Sequence, residues 1–282
     1  MAALPDAGFI LHERGKSHFW HGVGLLSIKS FSKGVAYYDV GHGRYAVDGN
    51  SYLILNHGQP YSITIDSEVE TESFCVFFDS KLASDVALTG IATTAQRLDH
   101  PDDGAEINFV ERTYPHDDLV SPALRKLKSE HGSSDFSVLQ KEQALHGLLE
   151  GMISRNHRSL KEAESISALK AGTREELYRR LYRARDYAAA CRTQPLSLAD
   201  LSRIACLSPN HFLRSFTQIF RATPHQYLTS LRLAAARTML ENTQISVTEI
   251  CFSVGFESVG SFSSLFRRHH GVSPAQYRTK KK

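Results

Sequence analysis

Between residues 18 and 80 apolar and polar positions alternate in short runs. Tyr52-Leu-Ile-Leu55, Tyr61-Ser-Ile-Thr-Ile65 and Phe74-Cys-Val-Phe-Phe78 are rich in β-branched and aromatic residues, and Val35-Ala-Tyr-Tyr-Asp-Val40 runs into Gly41-His-Gly43. Turn signals separate the runs: Asp48-Gly-Asn50, His57-Gly-Gln-Pro60 and Asp66-Ser67. Many short strands at this spacing predict a β-sandwich or small barrel, an architecture that can enclose a small-molecule cavity. Residues 81–114, with Leu98-Asp-His-Pro-Asp-Asp-Gly104, are loop-rich. The period then changes to that of a helix over Asp117–Glu130 and Phe136–Arg155. In the second segment Val138, Leu139, Ala144, Leu145, Leu148, Leu149, Met152 and Ile153 form one stripe. That stripe fits packing against the chain's own sheet and fits a dimer interface equally well. The polar stretch 156–173, ending in Ala171-Gly172, reads as a linker.

The C-terminal third repeats itself. Phe212, Phe216, Pro224, Gln226 and Tyr227 recur as Phe262, Phe266, Pro274, Gln276 and Tyr277, an offset of 50. Ser197-Leu-Ala-Asp-Leu201 matches Ser246-Val-Thr-Glu-Ile250 at offset 49. Caps, aromatics and prolines recurring together mean one helical unit built twice. Ser197 with Asp200, and Ser246 with Glu249, are capping boxes for a first helix. Leu198, Leu201, Ile204 and Ala205 make its buried stripe in the first copy. Ser208-Pro209 and Ser258 start a second helix that buries Phe212, Phe216 and Ile219, or Phe262 and Phe266. Two helices with a tight turn and a fixed second start are the sequence form of a helix-turn-helix. Between the paired helices the offset grows by one, and Gly255, suited to a left-handed turn, is the expected extra residue. Thr223-Pro224 opens a connecting helix to about Asn242 through Leu228, Leu231, Ala235 and Met239. At about 1.5 Å per residue it spans about 28 Å, near one DNA turn of about 34 Å.

Charge strengthens this picture. The chain of 282 residues carries a net +3, but residues 172–282 hold 17 Lys/Arg against 7 Asp/Glu, a net of +10, leaving −7 for the rest. A basic module on an acidic one is the footprint of polyanion binding, although a charged face can also be merely solvated. Composition is that of a globular protein, and no apolar run approaches the roughly 18 residues that cross a bilayer. Met1-Ala-Ala-Leu-Pro5 lacks the pattern of a secretory leader, so a cytoplasmic location is expected. Cys75, Cys191, Cys206 and Cys251 are scattered, which suggests neither a disulfide framework nor a zinc site; Cys206 and Cys251 fall on apolar helix stripes as small core residues.

If the phenylalanine pairs face inward, the opposite faces read the partner. The first presents Asn210, His211, Arg214 and Gln218; Asn suits adenine and Arg suits guanine in the major groove. The positions taken to match in the second copy, Val259, Gly260, Ser263 and Ser264, suit thymine-methyl contact but are poor for base hydrogen bonds. Ser208, Ser258, Arg267, Arg268 and His269 are placed for phosphate contact, with a solvated helix end as the alternative for the arginines. Copy one should therefore dominate specificity and copy two should mainly hold.

The N-terminal half offers little for catalysis. His42 stands alone in Gly41-His-Gly-Arg-Tyr45, Tyr61 occupies a place where a metal site would need His, and His12, His18 and His21 have no carboxylate at ligand spacing. No metal, cofactor or catalytic residue is expected. Aromatics are dense (Phe19, Trp20, Phe31, Tyr37, Tyr38, Tyr45, Tyr52, Tyr61) and fit core packing. The sharper reading makes Trp20, Tyr37, Tyr38, His42 and Tyr61 the lining of an effector pocket.

Ile250-Cys-Phe-Ser-Val-Gly-Phe256, then Ser258, Phe262, Phe266-Arg-Arg, Gly271, Pro274 and Tyr277-Arg278, closely resemble the signature of the AraC/XylS family of bacterial transcription regulators. Cys251, Gly260 and Ser264 depart from the family's usual residues. The resemblance covers about 175–282; the N-terminal half resembles, more weakly, the family's cupin-like effector-binding domain. The fold class that follows is α+β: a cupin-like β-sandwich or barrel with helices, then an all-α domain of two helix-turn-helix units joined by a long helix. The boundaries read as 1–114 effector-binding domain, 115–157 helical pair with a possible dimerisation role, 158–173 linker, and 174–282 DNA-binding domain. The implied function is a sequence-specific, effector-responsive regulator, more often an activator. The implied partners are promoter or operator duplex DNA, a sugar or related metabolite, RNA polymerase and a second copy of the chain, with no membrane. The rival reading is a cupin-type metal-dependent enzyme with an appended helical domain.

Overall fold

In a computed structural model, residues 8–91, 108–133, 136–164 and 171–280 are described. The chain divides into two compact units, Met1–Arg183 and Ala184–Lys282.

The first unit is built on a seven-stranded antiparallel sheet curled into a nearly closed barrel. Its strands are β1 (Gly8–Val23), β2 (Ser27–Lys33), β3 (Val35–Val40), β4 (Gly43–Asp48), β5 (Ser51–Leu55), β6 (Pro60–Phe78) and β7 (Thr113–Pro115). β6 organises the rest. One edge pairs with β1 from end to end, Gly8 opposite Phe78 and Val23 opposite Pro60. The other edge is shared, β3 taking the first part (Tyr38 opposite Ile63) and β2 the second (Lys29 opposite Cys75). Asp66-Ser67 is therefore not a turn. β6 continues through it, and the register with β1 shifts between Gly15 and Ser17, so the polar residues bulge out without ending the strand. β1 itself is invisible to alternation because most of it is solvent-exposed.

Period-2 alternation in the sheet separates two cores. Ile28, Tyr52, Ile54, Phe74, Val76 and Phe78 face a helical layer, whereas Phe31, Tyr38, Tyr45, Val47, Leu53 and Tyr61 cluster on the inner face of the barrel. The layer comprises α1 (Ser80–Ile91), α2 (Ser121–Glu130) and α3 (Val138–Glu164). α1 occupies the start of the stretch expected to be loop, and Leu98–Gly104 lie outside the described residues. The α3 stripe meets its own sheet through Leu145, Leu148, Leu149, Met152 and Ile153, because the outer apolar face of the sheet has to be covered. Val138 and Leu139, in its first turn, remain exposed.

Helix occupies both ends of the stretch expected to be linker. α3 continues to Glu164, α4 (Ala171–Ala190) follows, and residues 165–170 lie outside the described residues. The high polarity of α4 conceals a buried stripe of Leu177, Tyr178, Leu181, Tyr182, Ala184 and Ala188. Its early turns belong to the first unit through a buried chain: Arg112 donates to the Tyr178 hydroxyl, which donates to Glu162, and the Arg112 guanidinium stacks 3.9 Å from the Tyr182 ring centroid.

The second unit contains α5 (Leu198–Ile204), α6 (Pro209–Phe220), α7 (Pro224–Asn242), α8 (Val247–Ser253), α9 (Val259–His270) and α10 (Pro274–Lys280). Ser197 with Asp200 and Ser246 with Glu249 form reciprocal capping boxes. The repeated Gln and Tyr have the same reason to recur. Gln226 and Gln276 reach back to cap Thr223 and Ser273, while Tyr227 and Tyr277 pack on Phe216 and Phe266 at 5.8 and 5.6 Å between ring centroids.

The turns differ from expectation in one respect. Gly255 is left-handed (φ +95°), but so is Cys206 (φ +52°), its counterpart 49 residues earlier. Equivalent hydrogen bonds follow each, Leu207 N to Ser202 O at 2.9 Å and Phe256 N to Cys251 O at 3.0 Å. The additional residue of the second turn is thus Glu257, just before the Ser258 cap. Cys206 is exposed at the bend, not part of a core stripe, and Leu198 is also exposed; Cys251 is buried. α7 buries Leu228, Leu233, Ala236 and Leu240, while Leu231, Ala235 and Met239 are only partly covered. Leu233, Ala236 and Leu240 belong to the core around Phe262 and Phe266.

A side chain at Gly255 would put its Cβ 2.9 Å from the Arg192 carbonyl oxygen and the Thr193 backbone. Gly255→Val is expected to destabilise the C-terminal unit by about 2 kcal/mol or more, through positive φ and this clash together. Cys206→Gly is expected to stabilise it by about 1 kcal/mol by relieving left-handed strain. Urea unfolding of both variants reads the two opposite signs.

Candidate nucleic-acid interface and cavity

The reader helices begin at matched caps. Ser208 accepts from His211 N and Ser258 from Ser261 N, both at 3.4 Å. Each helix buries its phenylalanine pair completely, which turns the opposite face outward. On α6 that face exposes Asn210, His211 and Arg214, with Gln218 partly covered.

The caps place the second copy at offset 50, so Gly260, Ser261, Ser264 and Arg268 match Asn210, His211, Arg214 and Gln218. Val259 and Ser263, expected at reading positions, instead match Pro209 and Leu213 and are partly buried; Val259 packs on the core. Ser261 is the exposed position that sequence comparison missed. Carrying the offset of 50 from the phenylalanines back to the cap would have found it. Arg267, Arg268 and His269 are exposed in the last turn of α9, where they also favourably meet the negative end of the helix. Arg232 ties the unit together, donating to Arg192 O at 2.7 Å and Gln194 O at 2.8 Å.

A family model described as a helix-turn-helix domain matches residues 201–280. The C-terminal unit carries an AraC-type helix-turn-helix domain. The transcription regulator YdiP of Escherichia coli is 36% identical over 85 residues, which cover 30% of this chain and 28% of that protein. The transcriptional activator RhaS of Escherichia fergusonii is 46% identical over 82 residues, covering 29% of this chain and 28% of that one. Both alignments thus span less than a third of the curated relative. The DNA-binding domain of AdpA, solved with a target DNA, aligns at 30% identity over 36% of this chain and 90% of that chain, with a TM-score of 0.35. The two curated relatives are named as transcription regulators, and the family model places a helix-turn-helix domain in the segment they align with.

Within the first unit the barrel holds a cavity of about 710 Å³. Trp20, Tyr38 and Tyr61 line it, as expected; Tyr37 and His42 do not. Alternation along β3 turns Tyr38 inward and Tyr37 outward, where its ring lies 5.2 Å from the Arg44 guanidinium, and His42 is exposed in the β3–β4 turn. Phe9, Leu11, Val23, Leu25, Ile63 and Phe77 complete an apolar wall, with Glu13, Arg14 and His18 also contributing. Among the described residues no three His, Cys, Asp or Glu side chains gather as a metal site.

The unexpected lining residue is Lys29, only 2% exposed. Its Nζ lies 3.6 Å from the Phe77 ring centroid and 5.4 Å from that of Tyr61, and no carboxylate is within ion-pair distance among the described residues. Burial lowers its pKa to about 8, against a smaller opposing effect from Cys75. Burial likewise raises the Cys75 thiol, which accepts a hydrogen bond from the Tyr38 hydroxyl, and pushes Tyr61 up to about 12. A signal for Lys29 exists in Ser27-Ile-Lys-Ser-Phe31, where alternation puts the lysine in phase with the inward Phe31.

Because the folded-state pKa of Lys29 lies below its unfolded value, the unfolded chain binds more protons between about pH 8 and 10.5, and the lysine's destabilising effect fades as pH rises through that window. Lys29→Met should therefore raise the thermal midpoint at pH 7, and this advantage should shrink steadily from pH 8 to 10.5. Paired melting curves of the variant and the parent protein measure the difference.

Proposed function

We propose that the protein is a sequence-specific DNA-binding transcription regulator, acting chiefly as an activator, whose barrel unit responds to a small-molecule effector. The observation that carries this reading is the duplicated helix-turn-helix. Two reader helices start from equivalent caps, bury equivalent phenylalanines and present their opposite faces to solvent in a segment of net +10. The α7 helix between them is 19 residues long and spans about 28 Å, against about 34 Å for one DNA turn. Bending of the duplex would make up a shortfall.

Asn210, His211 and Arg214 carry base recognition in this reading, with Gln218 at the edge. Gly260, Ser261 and Ser264 offer little hydrogen bonding, so α9 contributes mostly phosphate contact through Arg267, Arg268 and His269. Ser208 and Ser258 bring helix N-termini to the backbone. The cavity bounded by Trp20, Tyr38 and Tyr61 is the effector site. The unit boundaries extend the reading: residues 1–183 sense, residues 184–282 bind DNA, and RNA polymerase and a second copy of the chain are further partners.

Footprinting of the promoter beside the protein's own gene at moderate salt tests the central statement; no protected segment would refute it. Arg214→Ala should weaken operator binding by about 1–3 kcal/mol and relax preference at one base pair. Arg267→Ala should instead weaken binding alike on all sequences and reduce the salt slope by about 1. Binding titrations on operator and scrambled duplexes at several salt concentrations separate the two effects.

A further inference from the structure

The cavity contains a cation without a counter-ion. Lys29 is buried on the inner face of β2, its Nζ over the Phe77 ring, with Cys75 opposite it on β6 and no carboxylate in reach among the described residues. A buried charge left unpaired is costly, and a partner supplied by a ligand offsets that cost on binding. The Tyr61 ring centroid lies 5.4 Å from the Lys29 ammonium, and the hydroxyl of Tyr38, on the same lining, is already committed to Cys75. The lining is apolar at Phe9, Leu11, Ile63 and Phe77 and polar at Glu13, Thr71 and Ser73 among others. An anionic head on an apolar body meets both the Lys29 ammonium and the apolar part of this lining.

We propose that this cavity takes a monocarboxylate with an apolar body, its carboxylate paired with the Lys29 ammonium. The assignment rests on the cavity being the effector site and names the chemistry of what enters it. Lys29 supplies the charge that orients the ligand, and Trp20, at the cavity wall and 4.9 Å from the Tyr61 ring, packs on the apolar body.

Trp20 is the sole tryptophan of the chain, so its fluorescence reports the cavity directly. The full chain is titrated with 4-cyclohexylbutyrate, which does not absorb with tryptophan, with the methyl ester of that acid, and with glucose. The expected result is a saturable Trp20 response to the acid and at least tenfold weaker binding of the ester. Lys29→Met should lose at least tenfold for the acid while keeping its affinity for the ester, which shows the cavity intact; Lys29→Arg should retain most of the acid binding. Equal affinity for acid and ester, unchanged acid affinity in Lys29→Met, or a response to glucose alone would overturn the carboxylate assignment while leaving a ligand cavity in place. No response to acid, ester or sugar would remove the effector-site reading as well, and the proposal with it.

Discussion

Each helix-turn-helix unit turns its chain through one residue with positive φ, and the direction of the reader helix follows from that residue. Cys206 and Gly255 hold this position, each followed by an equivalent backbone hydrogen bond into the first helix. The cap serine comes next, the helix starts there, and its phenylalanine pair is delivered to the core. Only then is the opposite face free to meet another molecule. The two turns are under different steric demands. Gly255 comes so close to the Arg192–Thr193 backbone that a Cβ would clash, whereas a side chain fits at Cys206, which is exposed. The first turn carries modest strain and the second admits no such freedom.

The barrel unit rests on a different constraint, the strict alternation of β6. Its even-numbered residues, Phe74, Val76 and Phe78, join a complete core with α3, in which large side chains meet with no access to solvent. Its odd-numbered residues Tyr61, Ile63, Ile65, Cys75 and Phe77 face an interior that is not filled, leaving the cavity. Lys29 stands on this second face, where an apolar residue would stabilise the empty protein better. A local departure from optimal packing, confined to one face and one cavity, is the pattern expected where stability is given up for binding.

Much of the C-terminal unit was legible because its determinants are local. A capping box spans four residues, a phenylalanine pair one helical turn, and both recur, so the sequence could be compared with itself. The pairing of Ser261 with His211 was missed because the offset of 49 from the first helices was carried past the turn, although the caps Ser208 and Ser258 already stand 50 apart. In the N-terminal unit, β5 and the two ends of β6 were legible from alternation. β1 was not, since an edge strand exposed on most of its length shows no apolar period. α4 was hidden by its arginines and glutamates, which surround a buried stripe that only packing reveals.

The sequence by itself determined the duplicated helices, their caps, the AraC-type character of the C-terminal unit and the presence of a strand-rich half. These follow from short-range preferences written into neighbouring residues. Tertiary structure alone decided that Tyr38 faces the cavity and Tyr37 the solvent, that Asp66-Ser67 bulges instead of turning, and that the α3 stripe covers its own sheet. It also decided that Lys29 lies buried without a counter-ion. Each of these depends on pairing between strands and helices distant in the chain, where register and burial are set by the partner and not by the residue's own neighbours.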